Sequence, residues 1–181
     1  MKKLSLRTRV LTGTAVAATL AAGTFGAVSA SAAPAAAPKK ADAANSNVMQ
    51  SNHLTIEAAT EAAEAALDAA EEENQRVTVA IVDRNGNTIL TMRGDGAGPQ
   101  SYESAIKKAY TAVSWNAPTS ELVKRLEQAP NLKDIPNTLF LAGGAPVTAK
   151  GAPIAGIGIA GAPSGAIDEK IAQAGVAALN K

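Results

Sequence analysis

VTVAIVDRNGNTILTMR, residues 77–93, is the stretch that decides the fold. Its first half is a run rich in β-branched residues, and TILTMR at 88–93 returns as a second strand-like segment. Asn85-Gly86 between them is the strongest short-range hairpin signal, so the two segments pair antiparallel. Upstream, Leu54 to Asn74 is Ala-rich and free of Gly and Pro, which predicts a helix entered through Ser51-Asn52-His53. Downstream, a glycine-rich loop, RGDGAGPQ, leads into a second helix with Ser101 as its cap and Tyr102, Ile106, Ala109 and Val113 at helical spacing. That helix is expected to end near Trp115-Asn116.

Pro118-Thr119 opens a third, short helix, TSELVKRLEQ, with Thr119 as cap and Pro130 beyond its end. Residues 130–137 form a turn-rich connector. TLFLAGGAPVTAKGAPIAGIGIAGA, residues 138–162, reads as two or three strands broken at Gly143-Gly144 and Lys150-Gly151, and a last helix spans about 164–179. No repeat of 20–50 residues is present. The fold class is therefore α+β: an antiparallel sheet of about five strands covered by helices, a single-layer αβ sandwich.

The N-terminus stands apart from this domain. Lys2, Lys3, Arg7 and Arg9 precede an apolar run from Val10 to Val28 that ends in Ala30-Ser31-Ala32, a small-x-small cleavage site. Residues 1–32 thus read as a secretory signal peptide and not as a transmembrane anchor, so the protein is expected outside the cell. Arg7-Thr8-Arg9 departs from the twin-arginine pattern, which favours the Sec route. Residues 33–51 are rich in Ala and Pro and are expected to form a flexible arm, with the domain proper at 52–181. Cleavage removes four of 17 basic residues and none of 16 acidic ones, leaving a mildly acidic chain of 13 against 16. A nucleic-acid partner is not expected at that balance. With no Cys, a disulfide framework, a cysteine nucleophile and an iron–sulfur site are excluded.

The glycine loop lacks the Gly-Lys-Ser/Thr ending of a nucleotide-binding P-loop, since Gly98 is followed by Pro99, Gln100 and Ser101. A dinucleotide-binding reading fails as well, because the preceding strand leaves a hairpin and not a parallel βαβ unit. Arg93-Gly94-Asp95 spells an adhesion tripeptide, but Arg93 belongs to a strand end. The loop is read as a strand-to-helix corner.

Taken together, VTVAIVDRNGNTILTMRGDGAGPQSYESAIKKAYTA, LAGGAPV and GAPIAGIGIAGA resemble the GlcG/HbpS-like haem-binding family over roughly His53 to Leu179. The resemblance rests on Asp83 and Gly86 of the hairpin, Lys108 within Ala105–Ala112, Gly143-Gly144-x-Pro146 and Gly156-x-Gly158. With the export signal, it implies the extracellular type: a homo-oligomer, an octamer by likeness, that binds and slowly degrades haem, holds released iron and signals to a membrane histidine kinase. Two alternatives stay open: an oligomeric tetrapyrrole or corrinoid carrier, and a true haem-degrading enzyme. The sequence offers no nucleophile, His-based triad or buried acid pair for the latter.

Usual ligands of haem iron are His, Cys, Met and Tyr, and after signal removal the chain offers His53, Met49, Met92, Tyr102 and Tyr110. Tyr102 and Tyr110 share the apolar face of one helix and read as core, as does Met92. His53 is either a solvated residue or a haem contact. Ser104, Lys108, Thr111 and Trp115 align at spacings of four, three and four. On that face Lys108 would meet a propionate, Trp115 would pack on the porphyrin, and Thr111 would offer a weak oxygen ligand; a subunit contact is the other reading. Glu57, Glu61, Glu64, Asp68 and Glu71 form a stripe about 21 Å long on the first helix. Within it, Glu61-x-x-Glu64 and Asp68-x-x-Glu71 each bring two carboxylates onto one turn, a donor set for iron or another hard cation, or else a solvated face.

Overall fold

In the computed structural model, which describes residues 42–180, β1 (Thr78–Asp83) and β2 (Thr88–Arg93) form the antiparallel hairpin. Gly86 N–H donates to Asp83 O at 3.0 Å and Asp83 N–H to Asn87 O at 2.8 Å. Gly86 takes φ +87°, so the turn is a four-residue turn closed by a glycine bulge, and Asn85 stays outside the left-handed region. Asp83 Oδ1 accepts the N–H groups of Asn85 and Asn87 at 2.8 and 2.9 Å. Partial burial pushes the Asp83 carboxyl up, but hydrogen bonds from Asn87 and Asn85 outweigh it and hold the group below its ordinary value, with the His53 charge adding in the same sense.

The sheet continues with β3 (Gly144–Ala149) and β4 (Ala152–Ala160), all neighbours antiparallel, in the order β2-β1-β4-β3. It has four strands where about five were expected. Residues 138–142 are not a strand because their backbone is engaged elsewhere: Leu139 N–H donates to the Thr111 hydroxyl at 2.8 Å and Leu141 N–H to Leu139 O at 2.9 Å.

Four helices cover the sheet: α1 (Ile56–Glu72), α2 (Gln100–Trp115), α3 (Thr119–Arg125) and α4 (Gly165–Ala178). Thr55 caps α1 by accepting from Ala58 N–H, and Ser164 caps α4 by accepting from Ile167 N–H. Ser101 and Thr119, expected as caps, lie inside their helices because Pro99 and Pro118 take the cap positions. Their hydroxyls are drawn into the core instead, Ser101 to Thr78 at 2.7 Å and Thr119 to Gly144 N–H at 2.8 Å.

Strand alternation sends Val79, Ile81, Ile157 and Ile159 toward α1 and α4, and sends Ala80, Val82 and Ala160 toward α2. Both faces are therefore covered, and the sandwich has three layers where the sequence predicted a single one. Ala59, Ala62, Ala63, Ala66 and Ala70 form the buried stripe of α1. Tyr102 is exposed, a correction to its expected core position, whereas Tyr110 packs half-buried with Val82, Ala109 and Val113 and Met92 lies against the main core. Among the described residues no helix is long and apolar enough to cross a membrane. The expected signal peptide, residues 1–32, and the first part of the expected arm, residues 33–41, lie outside the described residues; residues 42–51 are exposed, with a single 3-10 turn at Asn45–Asn47.

Candidate functional site

The strand register brings Thr78, Arg93, Ala160 and Gly144 to one end of the sheet. The glycine loop leaves β2 there and enters α2, and the bend after β4 enters α4. Between these helix starts lies a cleft of about 500 Å³, lined by Gln100, Ser104 and Lys108 of α2, Ser120 and Val123 of α3, Leu141, and the segment from Ala160 to the first turn of α4. A groove formed by Tyr102, Lys107 and Leu139 adjoins it, sharing Gln100 and Ser104.

Lys108 and Asp168 are the charged residues of the cleft lining, 5% and 3% exposed. Lys108 Nζ donates to Asp168 Oδ2 at 2.7 Å and to Ile159 O at 3.0 Å, and Asp168 Oδ1 accepts Ala162 N–H at 3.0 Å. These bonds use two of the three N–H donors of the ammonium. Burial raises the pKa of Asp168 above its ordinary value, and the hydrogen bond and charge of Lys108 draw it only part of the way back. The next residue, Glu169, is also buried. Its Oε2 accepts from Ser120 N–H at 2.9 Å and Gly143 N–H at 3.3 Å, and its Oε1 accepts from the Ser120 hydroxyl. Two consecutive acids of α4 thus tie down two walls: Asp168 holds α2, and Glu169 holds the start of α3 and the strand entry at Gly143.

The face Ser104-Lys108-Thr111-Trp115 divides. Ser104 and Lys108 reach the cleft. Thr111 is fully buried beyond it, its hydroxyl donating to Lys107 O at 2.7 Å while accepting from Leu139. Trp115 packs edge-on against Phe140 at 5.2 Å, in a satellite cluster with Leu122 and Leu126. Both fix the 139–142 segment, and neither lines the cleft. His53 is exposed at the Asp83 end of the sheet, with Nε2 2.8 Å from Ser51 Oγ. The length of β1, about 17 Å, separates that end from the cleft.

Glu57, Glu61, Glu64, Asp68 and Glu71 all lie exposed along α1. Among the described residues no group of three or more His, Cys, Asp or Glu side chains converges as a metal site. Asp168 and Glu169 escaped the sequence reading, although one signal was there. Asp168, Ile171, Ala172 and Gly175 recur at helical spacing on the buried face of α4, and an acid on an apolar stripe needs a partner.

Fold and cleft together define a small α+β domain with an antiparallel sheet and a cleft at one end of it. The family model described as haem degrading protein HbpS-like matches residues 54–177, and the chain belongs to the HbpS-like family. A Streptomyces reticuli HbpS variant carrying two Glu-to-Asp changes three positions apart is 70% identical; the match covers 80% of this chain and 97% of that one, with a TM-score of 0.75. A PduOC:haem complex is 30% identical over 71% of this chain and 96% of that one, with a TM-score of 0.66. The corrinoid adenosyltransferase PduO of Citrobacter freundii is 34% identical over 64% of this chain but only 36% of its own length.

Proposed function

We propose that the protein is an exported haem-binding protein that seats haem in the cleft at the starts of α2 and α4. One observation carries this reading: a cleft of about 500 Å³, within the size range of small-molecule sites, joins a buried ammonium to an exposed apolar rim. Haem is a flat apolar ring with two carboxylates, and the donor set fits it. Leu141 and Tyr102 are 55% and 47% exposed beside the cleft, where an apolar partner would cover them, and Lys107 and Lys108, paired with Glu103 and Asp168, supply N–H donors for its carboxylates. Among the described residues the cleft wall has no His, Cys or Met; Tyr102, in the adjoining groove, is of a usual ligating type. Bound haem would supply redox chemistry, while Leu141 and Tyr102 would pack against its ring and Lys107 and Lys108 would hold its carboxylates. An open site of this kind suits exchange better than storage, which supports a haem or redox sensor. Family membership further supports a homo-oligomer, an octamer by likeness, acting with a membrane histidine kinase, with slow haem degradation as a side reaction.

The test is a haemin titration of the mature chain from Ala33, following the Soret band with gel filtration in parallel. Saturable binding is expected, and Leu141→Asp, which places a charge on the exposed rim, should weaken it about tenfold with the fold unchanged. A shift that does not saturate, or equal affinity in the variant, would remove haem from this cleft. Iron released by degradation is assigned to the α1 carboxylates. Glu61→Ala with Glu64→Ala is expected to reduce bound iron, measured by atomic absorption, without changing haemin affinity; iron content equal to the parent would make the stripe a solvated face.

A further inference from the structure

A ligand carboxylate entering the cleft finds one cationic side chain, Lys108, in its lining. It arrives beside Asp168, which already holds that ammonium at 2.7 Å. The other groups around Asp168 do not relieve the crowding. Gly143 of the strand entry packs against its Cβ, β4 contributes the Ile159 carbonyl to Lys108, and α3 contributes Ser120. Glu169, its neighbour on α4, is a second buried acid already engaged by Ser120 and Gly143. Lys170, one residue further, is paired with Glu73. A new carboxylate on the remaining N–H of Lys108 therefore puts two acids on one buried ammonium, one of them only 3% exposed, and like charges so placed do not both stay ionised.

We infer that a ligand carboxylate taking the third N–H of Lys108 is bound together with one proton, carried by Asp168, so that the cleft binds carboxylate ligands more tightly as pH falls. Burial has already moved Asp168 in the direction this needs. The first turn of α4, lining the cleft through Gly165 and Ala166, adds the positive end of a helix dipole on the ligand side. The ligand class is a carboxylate on an apolar body, whether a haem propionate or a free small carboxylate. The inference rests on the cleft being the ligand site and does not require the ligand to be haem.

The test uses the mature chain with iron-free protoporphyrin IX, its dimethyl ester and propionate ion as probes. Calorimetry in two buffers of different ionisation enthalpy counts protons, and fluorescence titrations give Kd between pH 6 and 8. Protoporphyrin is expected to bind with uptake of about one proton, its Kd rising toward about tenfold per pH unit beyond the ligand's own titration. In Asp168→Asn that excess slope should vanish, with affinity at pH 8 above the parent's. Binding without proton uptake, an unchanged slope in Asp168→Asn, or equal uptake with the dimethyl ester would each overturn the inference while leaving haem binding standing. If Asp168→Asn does not fold, the proton count on the parent decides. Propionate binding with proton uptake where protoporphyrin fails would support the carboxylate chemistry and remove haem from the cleft; binding of neither probe would overturn both.

Discussion

Gly158→Ala is expected to destabilise the domain by more than about 3 kcal/mol and to lower Tm by on the order of 10 °C, as read by thermal and urea unfolding. A Cβ at this position would lie 2.0 Å from Ala105 O and 2.5 Å from Ala109 N, which are backbone atoms of α2 with no rotamer to change. Gly156 meets α2 in the same way, 2.2 Å from Ala109 O. Relief requires α2 to lift off its whole face of the sheet, carrying Ser104 and Lys108 away from the cleft. Overpacking by side chains in cores costs about 1–3 kcal/mol because side chains can yield, and helix backbone yields less. Against a total stability of about 5–15 kcal/mol this is a large fraction. Gly151→Asn is the control: Gly151 has φ +78° with nothing within 4 Å, and Asn tolerates that region, so little change is expected. A Gly158→Ala protein within about 1 kcal/mol of the parent would mean that α2 does not sit against β4 as described.

The same contact marks the limit of what the sequence revealed. The local signals placed the elements: the Asn85-Gly86 hairpin, the Ala-rich α1 and the last helix lie where their residues put them, although Pro99 and Pro118 displaced the expected caps Ser101 and Thr119. Non-local choices stayed hidden. Residues 138–142 have strand composition, yet the Thr111 hydroxyl, 28 positions away, takes Leu139 N–H and keeps the segment out of the sheet. Gly156-x-Gly158 was visible as a motif, but only the register shows that both glycines face α2, which adds the third layer. For the cleft, helical spacing correctly put Ser104 and Lys108 on one side of α2. It could not show that α3 and Phe140 cover the later turns, where Thr111 bonds Leu139 and Trp115 packs on Phe140 outside the cleft lining. The partner of Lys108 lies 60 residues on, and no local pattern links the two.

Lys108→Met is expected to cost about 3–5 kcal/mol, and adding Asp168→Leu to recover most of that loss. The pair is almost completely buried, with side chains 6% and 4% exposed. Removing the ammonium alone strands a carboxylate in a site that already raises its pKa by burial, whereas removing both leaves an apolar contact. What stays lost in the double variant is the bonding of Ala162 N–H and Ile159 O, about 1 kcal/mol each. The pH dependence separates this account from a simple packing defect. Without Lys108, Asp168 loses the one charge that draws its pKa back, so its folded value rises further above the unfolded one. Between those two values the native state binds more protons than the unfolded chain, and stability falls as pH rises through the window. Lys108→Met should therefore unfold less readily in mild acid than at neutral pH relative to the parent, in which the same trend is smaller, and the double variant should lose this dependence. Urea unfolding of the four proteins between pH 4.5 and 7.5 reads the cycle. A double variant as unstable as the sum of the two single changes would show the two residues acting independently, and the ion pair could not then be what holds α2 to α4 across the cleft.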